Sequence, residues 1–238
     1  MALPFYVSPE QFMKDKADYA RKGIARGKSV VALTYADGIL FVAENTSATL
    51  HKVSEIYDRI AFAGVGKFSE FETLRRMGIR QVDVWGYTYS REDVTARTLA
   101  NSFSQALGQL FTDSPKPFEV EVLVAQVGDT SDANELYHIL YDGSMGDEEN
   151  FVAMGGRAEE LNTFLDENYA ELALHDALKL GVKTLAEVDH VAPHTGNGAD
   201  QGPHVLDAAN LEVAVLDRTR DRRKFRRLSD EEVTQILK

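Results

Sequence analysis

Apolar and polar positions are patterned most densely between residues 28 and 66. Ser29-Val30-Val31-Ala32-Leu33-Thr34-Tyr35 and Ile39-Leu40-Phe41-Val42-Ala43 are β-branched and apolar runs flanking Ala36-Asp37-Gly38, which predicts a hairpin with its glycine at a positive φ. Another strand is predicted over 56–63, after which Gly64-Val65-Gly66 lets the backbone bend into a helix. That helix starts at Phe68 and is expected to end near Met77-Gly78, where glycine suits the C-terminal cap. Arg80 to Tyr89 then alternates like a short strand or connection, and Ser90-Arg91-Glu92-Asp93 offers a capping box. Val94, Leu99, Phe103, Ala106, Leu107, Leu110 and Phe111 recur at three- and four-residue spacings, the clearest amphipathic helix in the chain.

Upstream, Ser8-Pro9-Glu10-Gln11 has the residue types of a helix start, predicting a helix over about 9–23 with Phe12, Tyr19 and Ala20 on one face. Its thin apolar stripe fits a surface helix as well as one that lines a subunit interface. Downstream, Pro115 and Pro117 stop the long helix, and three more strands are predicted over 118–128, 136–141 and 150–154. Gly155-Gly156 opens a helix carrying Leu161, Phe164, Leu165 and Tyr169, and Leu174 to Val188 reads as another. Residues 189–203 are rich in Gly, Pro, Asn and Asp and read as an exposed flexible loop. A strand over 211–216, a partner over 222–228 and a last helix capped at Ser229 close the chain. Two blocks of strands, each followed by helices, suggest an α+β domain of two stacked sheets with helix layers outside.

Composition narrows the chemistry. With 238 residues, 44% of them hydrophobic, the chain can bury a large core in one domain, here 8–238, behind an unanchored segment 1–7. The net charge of −12 argues against nucleic acid as a partner, and the absence of cysteine excludes disulfides and thiolate metal sites. Residues 1–7 have neither a basic n-region nor a secretory-length apolar run, so a cytoplasmic protein without a membrane partner is expected. Gly64-Val65-Gly66-Lys67 is not a phosphate loop, since Ala61 and Phe68 stand where glycine and Ser/Thr are needed. His190, His194 and His204 are too irregularly spaced for a metal site, and no cofactor is expected. Arg218 to Arg227 is a basic run in an acidic protein, read as a solvated strand face or an interface to acidic neighbours.

Several segments in order, Asp18-Tyr19-Ala20-Arg21, Gly27, Ala36-Asp37-Gly38, Lys52 and Ile56-Tyr57-Asp58, followed by Lys116-Pro117-Phe118 and Met154-Gly155-Gly156, resemble the proteasome subunits of the N-terminal-nucleophile hydrolase fold. The helix ahead of the first strand matches α rather than β subunits, and Tyr6-Val7-Ser8-Pro9-Glu10-Gln11 resembles the actinobacterial version. The resemblance covers roughly 8–228 and implies a four-layer α/β/β/α sandwich of two mainly antiparallel sheets with an extra N-terminal helix. Catalytic members open the first strand with a processed threonine whose free amine helps activate its hydroxyl, whereas Lys28 holds that place here behind residues 1–27. The resemblance therefore implies a non-catalytic α subunit of a threonine-type protease complex, forming seven-membered outer rings that template catalytic β rings.

It further implies an activator-binding pocket at Lys52, with Asp18, Arg26 and Gly27 nearby, in which a lysine ammonium meets the C-terminal carboxylate of an activator. Met1, Ala2, Leu3, Pro4, Phe5, Tyr6 and Val7 would gate the ring axis against protein substrates in transit. Implied partners are the β subunit, further copies of this chain, an AAA ATPase ring that delivers pupylated proteins, and ATP-independent ring activators. The sequence departs from the family at two points: a Tyr-Asp-Arg gate motif is missing, and Glu119 replaces a glycine after the Pro-aromatic pair. Two rival readings are an active peptidase processed to expose Ser29 and a free-standing binding domain.

Overall fold

The computed structural model describes residues 8–47, 49–189 and 206–238. Its strands are β1 (Val30–Tyr35), β2 (Gly38–Glu44), β3 (Val53–Tyr57), β4 (Ile60–Gly66), β5 (Val120–Gln126), β6 (Glu135–Ile139), β7 (Met145–Glu148), β8 (Phe151–Met154), β9 (Leu211–Asp217) and β10 (Phe225–Arg227). They pair antiparallel throughout in two five-stranded sheets, β10-β9-β2-β1-β8 and β3-β4-β5-β6-β7. The helices are α1 (Pro9–Ile24), α2 (Phe68–Thr88), α3 (Ala96–Asp113), α4 (Ala158–Asn168), α5 (Leu174–Asp189) and α6 (Asp230–Leu237).

The unbroken apolar runs of β1 and β2 follow from burial on both faces. Val30, Ala32, Ile39 and Phe41 point between the sheets and meet Ala61, Ala63, Leu123 and Ala125. Val31, Leu33, Leu40 and Val42 point the other way, against Leu161 and Leu165 of α4 and Ala177 and Leu178 of α5. On the second sheet, Phe62, Val122 and Val124 turn outward to Phe71 and Leu74 of α2 and Leu99, Phe103 and Leu107 of α3. Three apolar seams thus separate four layers, α/β/β/α, as the family resemblance implied.

Several local expectations are corrected. The expected strand over 56–63 is a hairpin, with Tyr57 paired to Ile60 and Val53 to Ala63 around a turn at Asp58-Arg59. Gly38 does not have a positive φ; a Cβ there would lie 1.8 Å from the Leu216 carbonyl oxygen, so close approach to β9 requires the glycine. The helix from Phe68 does not stop at Gly78 but runs to Thr88, so no strand forms over 80–89. Phe71, Leu74, Gly78 and Val82 share its buried face, and a Cβ on Gly78 would sit 2.6 Å from Phe103 Cζ, making this a contact glycine rather than a cap. Ser90 caps a single 3-10 turn, whereas the side chain of Thr95 caps α3. Met145–Glu148 forms a fourth strand in the middle block, and β8 pairs with β1 in the other sheet.

At α1, Ser8 Oγ accepts from the Gln11 amide, but the Gln11 side chain donates to Asp15 instead of returning a bond to Ser8, so only half of a capping box forms. Lys16, Ala20 and Ile24 form the buried face, while Phe12 and Tyr19 stay about half exposed. Lys16 Nζ reaches the carbonyl oxygens of Phe111 and Thr112 at 2.8 and 3.3 Å and tethers α1 to the C-terminal end of α3, where a cation is favoured.

Candidate functional site

The C-terminal end of α1, the start of β1, the end of β2 and the segment entering β3 meet at one end of the sandwich. Gly27 makes this convergence possible. Its amide closes on the Ile24 carbonyl oxygen at 2.9 Å, and a Cβ would stand 3.1 Å from the Gly66 amide nitrogen. Arg26, Gly27, Lys28 and Ser29 then line a cleft of about 240 Å³ with Glu44 and Arg157. Lys28 Nζ pairs with Glu44 Oε1 at 2.8 Å.

Lys52 approaches the same place from the other sheet and donates from Nζ to the Lys28 carbonyl oxygen. Burial pushes its pKa down from 10.5 to about 8, with the Lys28 ammonium adding to the effect and the Glu44 and Glu212 carboxylates opposing it. The side chain is thus a cation near neutral pH that loses charge readily above it. Behind it, the carboxylate of Glu212 accepts from the Lys52 amide at 2.8 Å, the Val53 amide at 3.1 Å and Asn45 Nδ2 at 2.7 Å. Arg227 Nη1 also donates to Glu212, and His51 Nδ1 stands 3.5 Å away.

The structure brings Lys52, Arg26 and Gly27 to one end of the protomer but not Asp18, whose carboxylate pairs with Arg21 one turn along α1 at 3.3 Å and is half exposed. Glu119, the second departure from the family pattern, packs against Gly23 of α1. A Cβ on Gly23 would be 2.0 Å from Glu119 Oε2, so the glycine accommodates the carboxylate, which also pairs with Lys116 at 2.7 Å. Of the loop expected over 189–203, Asp189 ends α5 and the rest, like residues 1–7 and His190, His194 and His204, lies outside the described residues.

At the head of β1 stands Lys28, whose side chain has no hydroxyl to serve as a nucleophile. Of the cations that line the cleft, Lys28 is paired with Glu44 and Arg157 with Glu160. A family model described as proteasome subunit matches residues 24–202. The chain belongs to the proteasome subunit family. It is 56% identical over its whole length to the proteasome subunit alpha of Kineococcus radiotolerans, covering 98% of that protein. It is also 57% identical over 96% of its length to the proteasome subunit alpha of Xylanimonas cellulosilytica (93% covered), and 55% identical over its whole length to that of Frankia alni (97% covered).

Sequence reasoning reached Lys52 only through the family resemblance and missed the groups that hold it. Glu212 left a trace, as the one charged residue inside the apolar run Leu211-Glu212-Val213-Ala214-Val215-Leu216. A carboxylate in a strand buried on both faces has to find donors. Asn45 and Arg227 left no comparable signal.

Proposed function

We infer that the chain is a non-catalytic α-ring subunit of the proteasome core, forming seven-membered outer rings on catalytic β rings in the cytoplasm. The observation that carries this reading is Lys28 at the head of β1, where an active family member needs a hydroxyl. Peptide hydrolysis then falls to threonines of the β subunit. Residues 1–7 gate the axis, and hexameric ATPases that deliver pupylated proteins, or ATP-independent rings, dock on the α face.

Docking rests on Lys52, whose ammonium meets the terminal carboxylate of an activator, with Arg26 and Gly27 forming the rim, and Asp18, which pairs with Arg21 in its own protomer, keeps a half-exposed carboxylate for a base of the adjacent one. A peptide with an activator's C-terminal residues should stimulate peptidase activity of the assembled core. The same peptide ending in a carboxamide, or a core carrying Lys52→Ala, should give no stimulation. Equal stimulation by acid and amide would sink the docking role.

A further inference from the structure

We propose that Glu212 is the positioning residue of the Lys52 site, a carboxylate on one sheet that fixes the backbone on which the other sheet presents Lys52. The inference rests on the reading of Lys52 as a carboxylate receptor and adds the group that makes it one. Glu212 leaves β9 opposite Ala43 of β2, in the first sheet, and its side chain is only 5% exposed. Both oxygens reach the segment that leads into β3, the edge strand of the second sheet: Oε2 takes the Lys52 amide and Oε1 the Val53 amide.

Neighbours reinforce the same segment. Asn45 Nδ2 donates to Glu212 Oε2 and to the Leu50 carbonyl oxygen, both at 2.7 Å. Arg227 donates to Glu212 through Nη1 and to the Val53 carbonyl oxygen through Nη2 at 2.8 Å. Residues 50–53 are therefore tied at Leu50, Lys52 and Val53 through Glu212 or through a side chain that Glu212 holds. A carboxylate offers about four lone-pair directions, so this one is saturated and rigid. The backbone also ties this segment to the second sheet, through the Gly64 amide on the Lys52 carbonyl oxygen at 3.0 Å and the pairing of Val53 with Ala63.

Charge adds to geometry. The groups around Lys52 are Lys28 ahead of β1, Glu44 at the end of β2 and Glu212 from β9, and Arg227 of β10 and His51 face Glu212 in turn. Neutralising Glu212 would leave Lys28, Lys52 and Arg227 against Glu44 alone. The Lys52 amine would then give up its proton at lower pH and bind a carboxylate less well.

The test uses the full chain co-assembled with its β subunit, with Glu212→Gln. Two readouts are taken: the pH midpoint for acylation of Lys52 by an amine reagent, followed by peptide mass, and the concentration of activator C-terminal peptide giving half-maximal stimulation. The midpoint should fall by roughly one pH unit, which cuts the protonated fraction at pH 8 about fivefold, so the half-maximal concentration measured at that pH should rise about fivefold, with the maximal rate unchanged. A carboxylate that merely glues the sheets together would lower the melting temperature and leave both values where they were, which overturns the proposal. If Glu212→Gln does not assemble, Asn45→Ala decides: a raised half-maximal concentration with an unchanged Lys52 midpoint supports positioning, and no change in either refutes it. Lys52→Ala separates the two claims, because loss of docking dependence on Lys52 would remove the receptor reading while a shifted amine midpoint in Glu212→Gln would still stand.

Discussion

Gly78 sits mid-way along α2, where three accounts of one residue predict different effects for Gly78→Ala. Helix propensity alone favours alanine by about 1 kcal/mol. A C-terminal cap at Gly78 would make alanine unfavourable through its backbone angles, whatever lies nearby. In the structure the added methyl lies 2.6 Å from Phe103 Cζ, 3.2 Å from Phe103 Cε1 and 3.4 Å from Leu99 Cδ1. Phe103 cannot simply retreat, since it is fully buried and stands edge-on to Phe62 with centroids 5.8 Å apart. Overpacking of this kind costs about 1–3 kcal/mol, so steric cost exceeds propensity gain and the net loss is ~1 kcal/mol. For a chain of this size that corresponds to a fall in melting temperature of about 2–4 °C. The decisive assay repeats the substitution in a Phe103→Leu background, with urea unfolding followed by circular dichroism. There the ring edge is gone, and alanine should become stabilising by up to ~1 kcal/mol. An effect of the same sign in both backgrounds would refute the contact account.

Three further outcomes follow from the structure. Lys16→Met keeps the aliphatic packing but removes the ammonium from the Phe111 and Thr112 carbonyls, and should cost ~2 kcal/mol with faster amide exchange in α1; an unchanged melt contradicts the tether. The depressed pKa of Lys52 gives opposite signs for stability and docking. Between about 8 and 10.5 the unfolded chain holds a proton that the folded chain has lost, so stability relative to Lys52→Met should rise across that window by at most ~3 kcal/mol, while carboxylate docking falls above about 8. A flat difference curve in urea titrations would exclude the buried amine. Deleting residues 1–7 should raise the basal peptidase rate of the assembled core without changing its melting temperature, and an unchanged rate would remove the gate.

The central strands were legible because burial on both faces leaves a mark in single residues, while the four-layer order came from the family resemblance. The runs around Leu33 and Leu40 contain almost nothing but apolar side chains, and no surface strand needs that. Capping at Ser229 was equally readable, since Glu232 returns the hydrogen bond within one turn. What escaped depends on contacts distant in sequence. Gly78 looks like a cap until Phe103 is placed against it, and Gly38 like a positive-φ turn residue until β9 is beside it. β7 is polar and mostly exposed, an edge strand with no period-2 signal to find. At the site the resemblance supplied Lys52, but Glu212 lies 160 positions further along and Arg227 further still. Lys16 shows the same limit: a charged residue on a thin amphipathic helix reads as solvated, yet its partners are carbonyls at the far end of α3.

The central claim is that this chain is a scaffold with a carboxylate receptor where an active relative would hold its nucleophile. Native mass spectrometry of the chain, alone and co-expressed with its β subunit, with a peptidase assay on each sample, tests it most directly. The account predicts the unprocessed chain of 238 residues in a stacked-ring particle, with hydrolysis only when β is present. A chain that begins at Ser29 and cleaves peptides by itself would contradict it.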